Sequence, residues 1–201
     1  MNGLLKYQIA LYSGISAIVL IWIIIFLSAY LNPWFGITHN ALSDLGGGNS
    51  ILNNHPAPAY PYIYNAGLMI TGVLIAIFAI SAISFSSNKI INAGYSFFII
   101  SALFLALIGI YHEGTYPHDF VSIWFFILSS ISYFVIAFGI VLKIKKIGAA
   151  MIIVNLLSWI LYATIPWQSV AEDEIFGIAI IEILVILNLC FIYNKKVYRH
   201  Y

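Results

Sequence analysis

The residues of this chain that could bind a metal or move a proton fall in two short stretches and at one isolated position. His39, Ser43 and Asp44 form the first stretch, His112, Glu113, His118 and Asp119 the second, and Glu182 stands alone. Three imidazoles with a carboxylate match the donor set of a catalytic zinc site. His39, His112 and His118, with Asp44 or Asp119, would hold a divalent metal such as zinc and leave one coordination position open. A metal held this way lowers the pKa of bound water, and a nearby carboxylate takes the proton, which is hydrolase chemistry. Ser43, Glu113 and Glu182 are the catalytic candidates beside those ligands. The short motif in reach is incomplete: His112-Glu113-Gly114-Thr115-Tyr116 begins like HExxH but has Tyr where the second ligand belongs.

Two other chemistries use the same groups. Ser43, with His39 one turn back and Asp44 beside it, has the residue types of a nucleophilic triad, although adjacent residues seldom align serine, imidazole and carboxylate in the required line. Paired histidines also ligate haem, but no apolar run contains a histidine to place there. A plain role as solvated interfacial residues competes with each of these readings.

Composition decides what must position the cluster. Of 201 residues 63% are hydrophobic and 7% charged, and the mean hydropathy is +1.01, whereas a soluble domain has about 25% charged residues. That much apolar surface needs lipid. The net charge of +1 gives no basic field for nucleic acid. The single cysteine, Cys190, excludes an internal disulfide and a cysteine-based metal knuckle.

Apolar runs at about 8–31, 62–85, 93–111, 120–142, 148–166 and 175–193 are each about long enough to cross a bilayer as a helix. They are too long and continuous for barrel strands, so the fold class is an all-α membrane protein. The first run exceeds the length of a signal-peptide core and ends in Asn32-Pro33-Trp34 without a small-residue cleavage site, so it reads as an uncleaved span. Short connections after most runs make consecutive helices antiparallel neighbours, giving a single up-down bundle over residues 1–201.

Orientation follows from charge. Lys6, Lys89, Lys143, Lys145, Lys146, Lys195, Lys196 and Arg199 are all eight basic residues, and all fall on one side of the layout. The positive-inside rule makes that side, with both termini, cytoplasmic in a multi-pass protein of the cell membrane. Six of the seven acids and four of the five histidines fall on the other side, so the candidate site faces outward. Glu182 lies within the sixth span, about two turns from the outer end. A carboxylate there costs about 3 kcal/mol on insertion scales and so faces a cavity or a partner.

The first outer loop is long enough to have structure of its own. Thr38 as a cap, residues 39–45 and the Gly46-Gly47-Gly48 stop predict a short helix with His39 and Ser43 on one face. His55 to Pro61 is too rich in proline for a helix. Asn155, Ser158 and Tyr162 on the fifth span, and Ser122, Ser129 and Tyr133 on the fourth, trace polar lines toward the outer side. Such lines serve either helix packing or a polar cavity.

His39-Asn40-Ala41-Leu42-Ser43-Asp44-Leu45-Gly46 resembles the His-x-x-x-Ser-(Asp/Glu)-Leu-Gly signature of a prokaryotic membrane family, domain of unknown function 998 (DUF998). Asn65-Ala66-Gly67 and the segment from Gly109 to His118 are similar to that family's next features. The resemblance implies six spans and a membrane location, and no activity. The reading of the residues themselves is a hydrolase of a lipid or lipid-linked substrate with membrane lipid as its partner. The alternatives are a non-catalytic accessory or lipid-binding protein and, less favoured because no span is broken at its centre, a transporter.

Overall fold

The computed structural model describes residues 3–48 and 54–198, with side chains from Leu4 to Asn194. It contains six long helices, α1 (Gly3–Leu31), α2 (Pro61–Ile83), α3 (Lys89–Ile110), α4 (His118–Val141), α5 (Lys145–Thr164) and α6 (Val170–Tyr198), and a 3-10 turn at Leu42–Leu45. Each helix is long and apolar enough to cross a membrane, and there is no strand among the described residues. This is the expected all-α six-span architecture.

The helices extend past the apolar runs wherever the first turn is polar. α3 begins at Lys89 rather than 93 because Asn88 caps it, its Oδ1 accepting the N–H of Ile90 at 2.8 Å. α6 begins at Val170 rather than 175, with Glu172 and Asp173 in its first turn, where negative charge complements the helix dipole.

Consecutive helices pack side by side, and α1 closes on α6. Close approach depends on glycine. A side chain at Gly94 would collide with the backbone of α4 at Ser132 and Ile136, and one at Gly109 with the carbonyl of Asn65 on α2. Between them the helices hold an aromatic centre, where Phe98 packs on Phe78 at 6.3 Å and on Tyr133 at 4.8 Å between ring centroids. Tyr95 donates its hydroxyl to Asn188 at 2.6 Å, tying α3 to α6. Phe26, Val73, Leu103 and Phe138 are among the many large apolar side chains facing outward, as lipid contact requires.

α5 is the least buried of the six. It is held to α4 by Asn155, which accepts from Ser130 Oγ at 2.8 Å and donates to the Ser130 carbonyl at 2.9 Å. The Asn155 line therefore serves packing and also borders a cavity described below. Ser129 on α4 is a packing residue, 2.6 Å from Ser101 of α3 between hydroxyls.

The described parts of the connections 32–60 and 111–117, and the start of α4 with His118 and Asp119, lie at one end of the bundle with the α5–α6 connection. Lys89, Lys143, Lys145 and Lys146 lie at the opposite end, where α3 and α5 begin and α4 ends, and Lys6 is on the first turn of α1. The side chains of Lys195 and Lys196, and all of Arg199, lie outside the described residues.

Candidate functional site

The first loop folds back into the bundle, and local geometry explains how. Asn32 caps its entry: its Oδ1 accepts the N–H of Ala59 at 2.6 Å and its Nδ2 donates to the Ser28 carbonyl at 2.8 Å. Thr38 and His39 are in a turn set by Gly36, whose N–H donates to Asn40 Oδ1 at 2.9 Å. The helix proper is therefore shorter than expected: it is the single 3-10 turn Leu42–Leu45, preceded by Ala41 in an extended conformation. Asp44 Oδ2 accepts the N–H of Ala41 at 2.9 Å, fixing that turn. Leu42 and Leu45 are 1% and 0% exposed, and this burial anchors the loop.

Two links tie the turn to the bundle. The Leu42 N–H donates to Glu174 Oε2 on α6 at 2.7 Å, and Asn65 Nδ2 on α2 donates to the Gly46 carbonyl at 2.7 Å. A side chain at Gly46 would collide with Asn65 Oδ1, and one at Gly109 with the Asn65 carbonyl. The three stretches Gly46, Asn65 and Gly109 thus meet around one asparagine.

Ser43 and Asp44, neighbours in sequence, serve different partners. Asp44 Oδ1 is 3.2 Å from His55 Nε2; the two are close enough to pair as ions, although the approach is out of line for a hydrogen bond. His55 stacks flat on Trp34, with centroids 4.5 Å apart and planes 3° apart, and its Nδ1 is 2.7 Å from the Pro56 carbonyl. His55 is thereby a buried pillar of the loop.

Ser43 Oγ donates instead to Glu113 Oε2 at 3.3 Å. His118, buried at the start of α4, places Nε2 3.0 Å from that same carboxylate oxygen. Its Nδ1 is 2.8 Å from the Tyr111 carbonyl, and Ser122 Oγ, one turn along α4, is 3.5 Å from Nε2. A carbonyl only accepts, so Nδ1 carries a proton. Nε2 of a neutral ring would then present a lone pair to a carboxylate oxygen at 3.0 Å. Such a contact needs a cation between the two atoms, either a proton or a metal ion.

Glu113, His118 and Asp119 offer ligand atoms that all lie within 4.8 Å of one another, the one such group of three among the described residues. The sequence reading placed His118 here as a ligand and Glu113 as a catalytic group. His39 is exposed, its Nδ1 2.7 Å from Thr38 Oγ1. His112 is exposed, its Nδ1 2.9 Å from the Glu113 carbonyl. Asp44 is turned to His55. Glu182 lies deeper, its Oε2 accepting the indole N–H of Trp22 at 2.9 Å.

Beneath the group runs an apolar cavity of about 70 Å³. Ser43, Ser122 and Glu174 line one end, Glu182 lies midway, and Gly14 and Phe78 are among the residues at the far end. Three of its residues were missed in the sequence or read otherwise. Ser122 is a helical turn from His118 and could have been paired with it by spacing. Glu174, just before the apolar run at 175, lies inside α6. Tyr64 precedes Asn65 and is buried in the wall.

The profile of a family described as a protein of unknown function (DUF998) matches residues 15–190. No curated protein and no solved structure matches the chain.

Proposed function

The chain belongs to the DUF998 family of proteins of unknown function, and from the geometry of its site we propose that it is a membrane-embedded, metal-dependent hydrolase of a lipid or lipid-linked substrate. One observation carries the reading: His118 Nε2 and Glu113 Oε2 stand 3.0 Å apart, next to two serines, Ser122 and Ser43, that line an apolar cavity.

The residues support this in the following way. His118 Nδ1–H on the Tyr111 carbonyl orients the ring and leaves Nε2 as a ligand, the arrangement in which a backbone carbonyl fixes a metal-binding imidazole. Glu113 and Asp119 complete a mixed nitrogen and oxygen donor set. A divalent ion bound there would supply an activated water. Ser43 holds Glu113 by its hydroxyl, and Ser43 and Ser122 present polar groups to a substrate whose chain occupies the apolar cavity. By the positive-inside rule, the lysine end faces the cytoplasm and the site faces outward from the cell membrane.

A second reading rests on the same contact. A proton in place of the metal makes His118 an imidazolium paired with Glu113, and the protein is then a non-catalytic lipid-binding or accessory subunit.

Metal content separates the two readings. Protein purified without chelator should hold close to one equivalent of zinc, manganese or iron, lost in His118→Ala and in Glu113→Gln, and should release fatty acid from a long-chain ester. Metal well below one equivalent, unchanged by His118→Ala, would sink the hydrolase.

A further inference from the structure

A second cavity lies outside the hydrolase site. α5 leans on α4 through the Asn155–Ser130 pair and leaves a crevice of about 270 Å³ between α4, α5 and α6. Its floor is Ser130, Asn155 and Ser158, and its depth is lined by isoleucines and Leu184. At the end nearest the site, the rim carries Tyr162, Asp173, Glu174 and Phe176.

Three features of this crevice point to one class of ligand. The first is aromatic: Trp159, Tyr162 and Phe176 line the crevice and Trp167 stands between the last two, with successive centroids 6.3, 6.4 and 5.2 Å apart. The second is charge. Asp173 stands there, the Glu174 carboxylate being taken by the Leu42 N–H, and no lysine or arginine occurs between residues 147 and 194 or between 90 and 142, the stretches that build the crevice. A carboxylate beside aromatic faces, with no basic residue nearby in those stretches, selects a cation, and an ammonium group is a cation that aromatic faces bind. The third is depth. From Asp173 to Leu184, α6 rises about 16 Å, about half of a hydrocarbon core roughly 30 Å thick.

We propose that this crevice binds one bilayer lipid bearing an ammonium headgroup, with the ammonium at Asp173, Tyr162 and Phe176 and an acyl chain along the α4–α6 furrow. The headgroup sits where interfacial aromatic residues belong, and the chain spans its own leaflet. Phe126, Ile181 and Glu174 line both this crevice and the inner cavity, so the bound lipid lies one side-chain layer from that cavity. The binding does not require any reaction at His118, because Asp173, Tyr162 and Phe176 are outside that group.

The test is native mass spectrometry of the full chain released from micelles holding equal amounts of phosphatidylethanolamine and phosphatidylglycerol. The expected result is a one-to-one adduct favouring the ethanolamine lipid about fivefold, the scale of one exposed cation–π contact with a nearby carboxylate. Asp173→Asn and Tyr162→Leu should each bring that preference close to one while the unfolding temperature stays near wild type. Ser158→Phe, which fills the floor, should remove both adducts without changing charge. Equal adducts of the two lipids, or a preference surviving both rim substitutions, would overturn the proposal. So would efficient disulfide dimerisation of Tyr162→Cys with no lipid adduct, which would make the crevice an interface between two copies.

Discussion

Replacing Gly109 by alanine should loosen the end of the bundle that carries the site, and the size of the effect follows from what the new methyl meets. A Cβ at this position collides with the backbone carbonyl of Asn65 and stands 2.9 Å from Met69 Cγ. The Met69 side chain can move, but a helical carbonyl cannot rotate aside, so α2 and α3 must part. Overpacking of this kind costs about 1–3 kcal/mol. Because Asn65 also holds the Gly46 carbonyl at 2.7 Å, moving α2 weakens a hydrogen bond worth about 1 kcal/mol. Gly177→Ala is the matched control. Its new methyl meets only the ring of Phe126, at 2.7 Å from Cε1, and that ring has cavities on either side into which to turn. Thermal unfolding in one detergent, followed by tryptophan fluorescence, reads the difference. At about 2–4 °C per kcal/mol for a chain of this size, the overpacking alone should lower Gly109→Ala by roughly 2–12 °C, and Gly177→Ala should fall by less than about 3 °C. Equal melting temperatures for the two variants would refute the claim that backbone contact at Gly109 sets the helix spacing.

Other outcomes follow from single contacts. Trp22→Phe removes the indole donor to Glu182 inside the bundle and should cost about 1–3 kcal/mol for the unpartnered group. Glu182→Gln keeps an acceptor for Trp22 and should leave stability unchanged or raised; a large loss would show that Glu182 works as a charge. His55→Ala breaks a buried pair with Asp44 and the stack on Trp34, a loss of about 3 kcal/mol. His39→Ala touches an exposed ring bonded to its own neighbour and should stay within about 0.5 kcal/mol; equal losses for these two histidines would contradict the assigned roles.

The spans were legible because bilayer thickness sets a length that apolar runs must meet, and few other folds tolerate such composition. Their ends were less so. Glu172, Asp173 and Glu174 look like a loop by hydropathy, yet they occupy the first turns of α6, where the helix dipole favours acids. In the first loop, His39 was expected on the helix face of Ser43, but Gly36 and Asn40 close a separate turn that takes His39 out of it.

The site was legible in part. His118 and Glu113 are close in sequence and lie at a helix start, so spacing alone brings them together. The contact between Ser43 and Glu113, and the pairing of Asp44 with His55, depend on how an irregular loop packs against three helices. No periodicity encodes that. The resemblance to DUF998 in Gly46, Asn65 and Gly109 has a physical basis, since both glycines pack against Asn65.

The central claim is that His118, Glu113 and Asp119 would together hold a metal ion. Its most direct test is elemental analysis of the wild-type chain beside His118→Ala and Asp119→Asn, all purified without chelator. The account predicts about one equivalent of a transition metal in the wild type, nearly none in His118→Ala and a reduced amount in Asp119→Asn. Metal-free wild-type protein that takes up no zinc, manganese or iron on titration would contradict it and leave His118 paired with Glu113 through a proton.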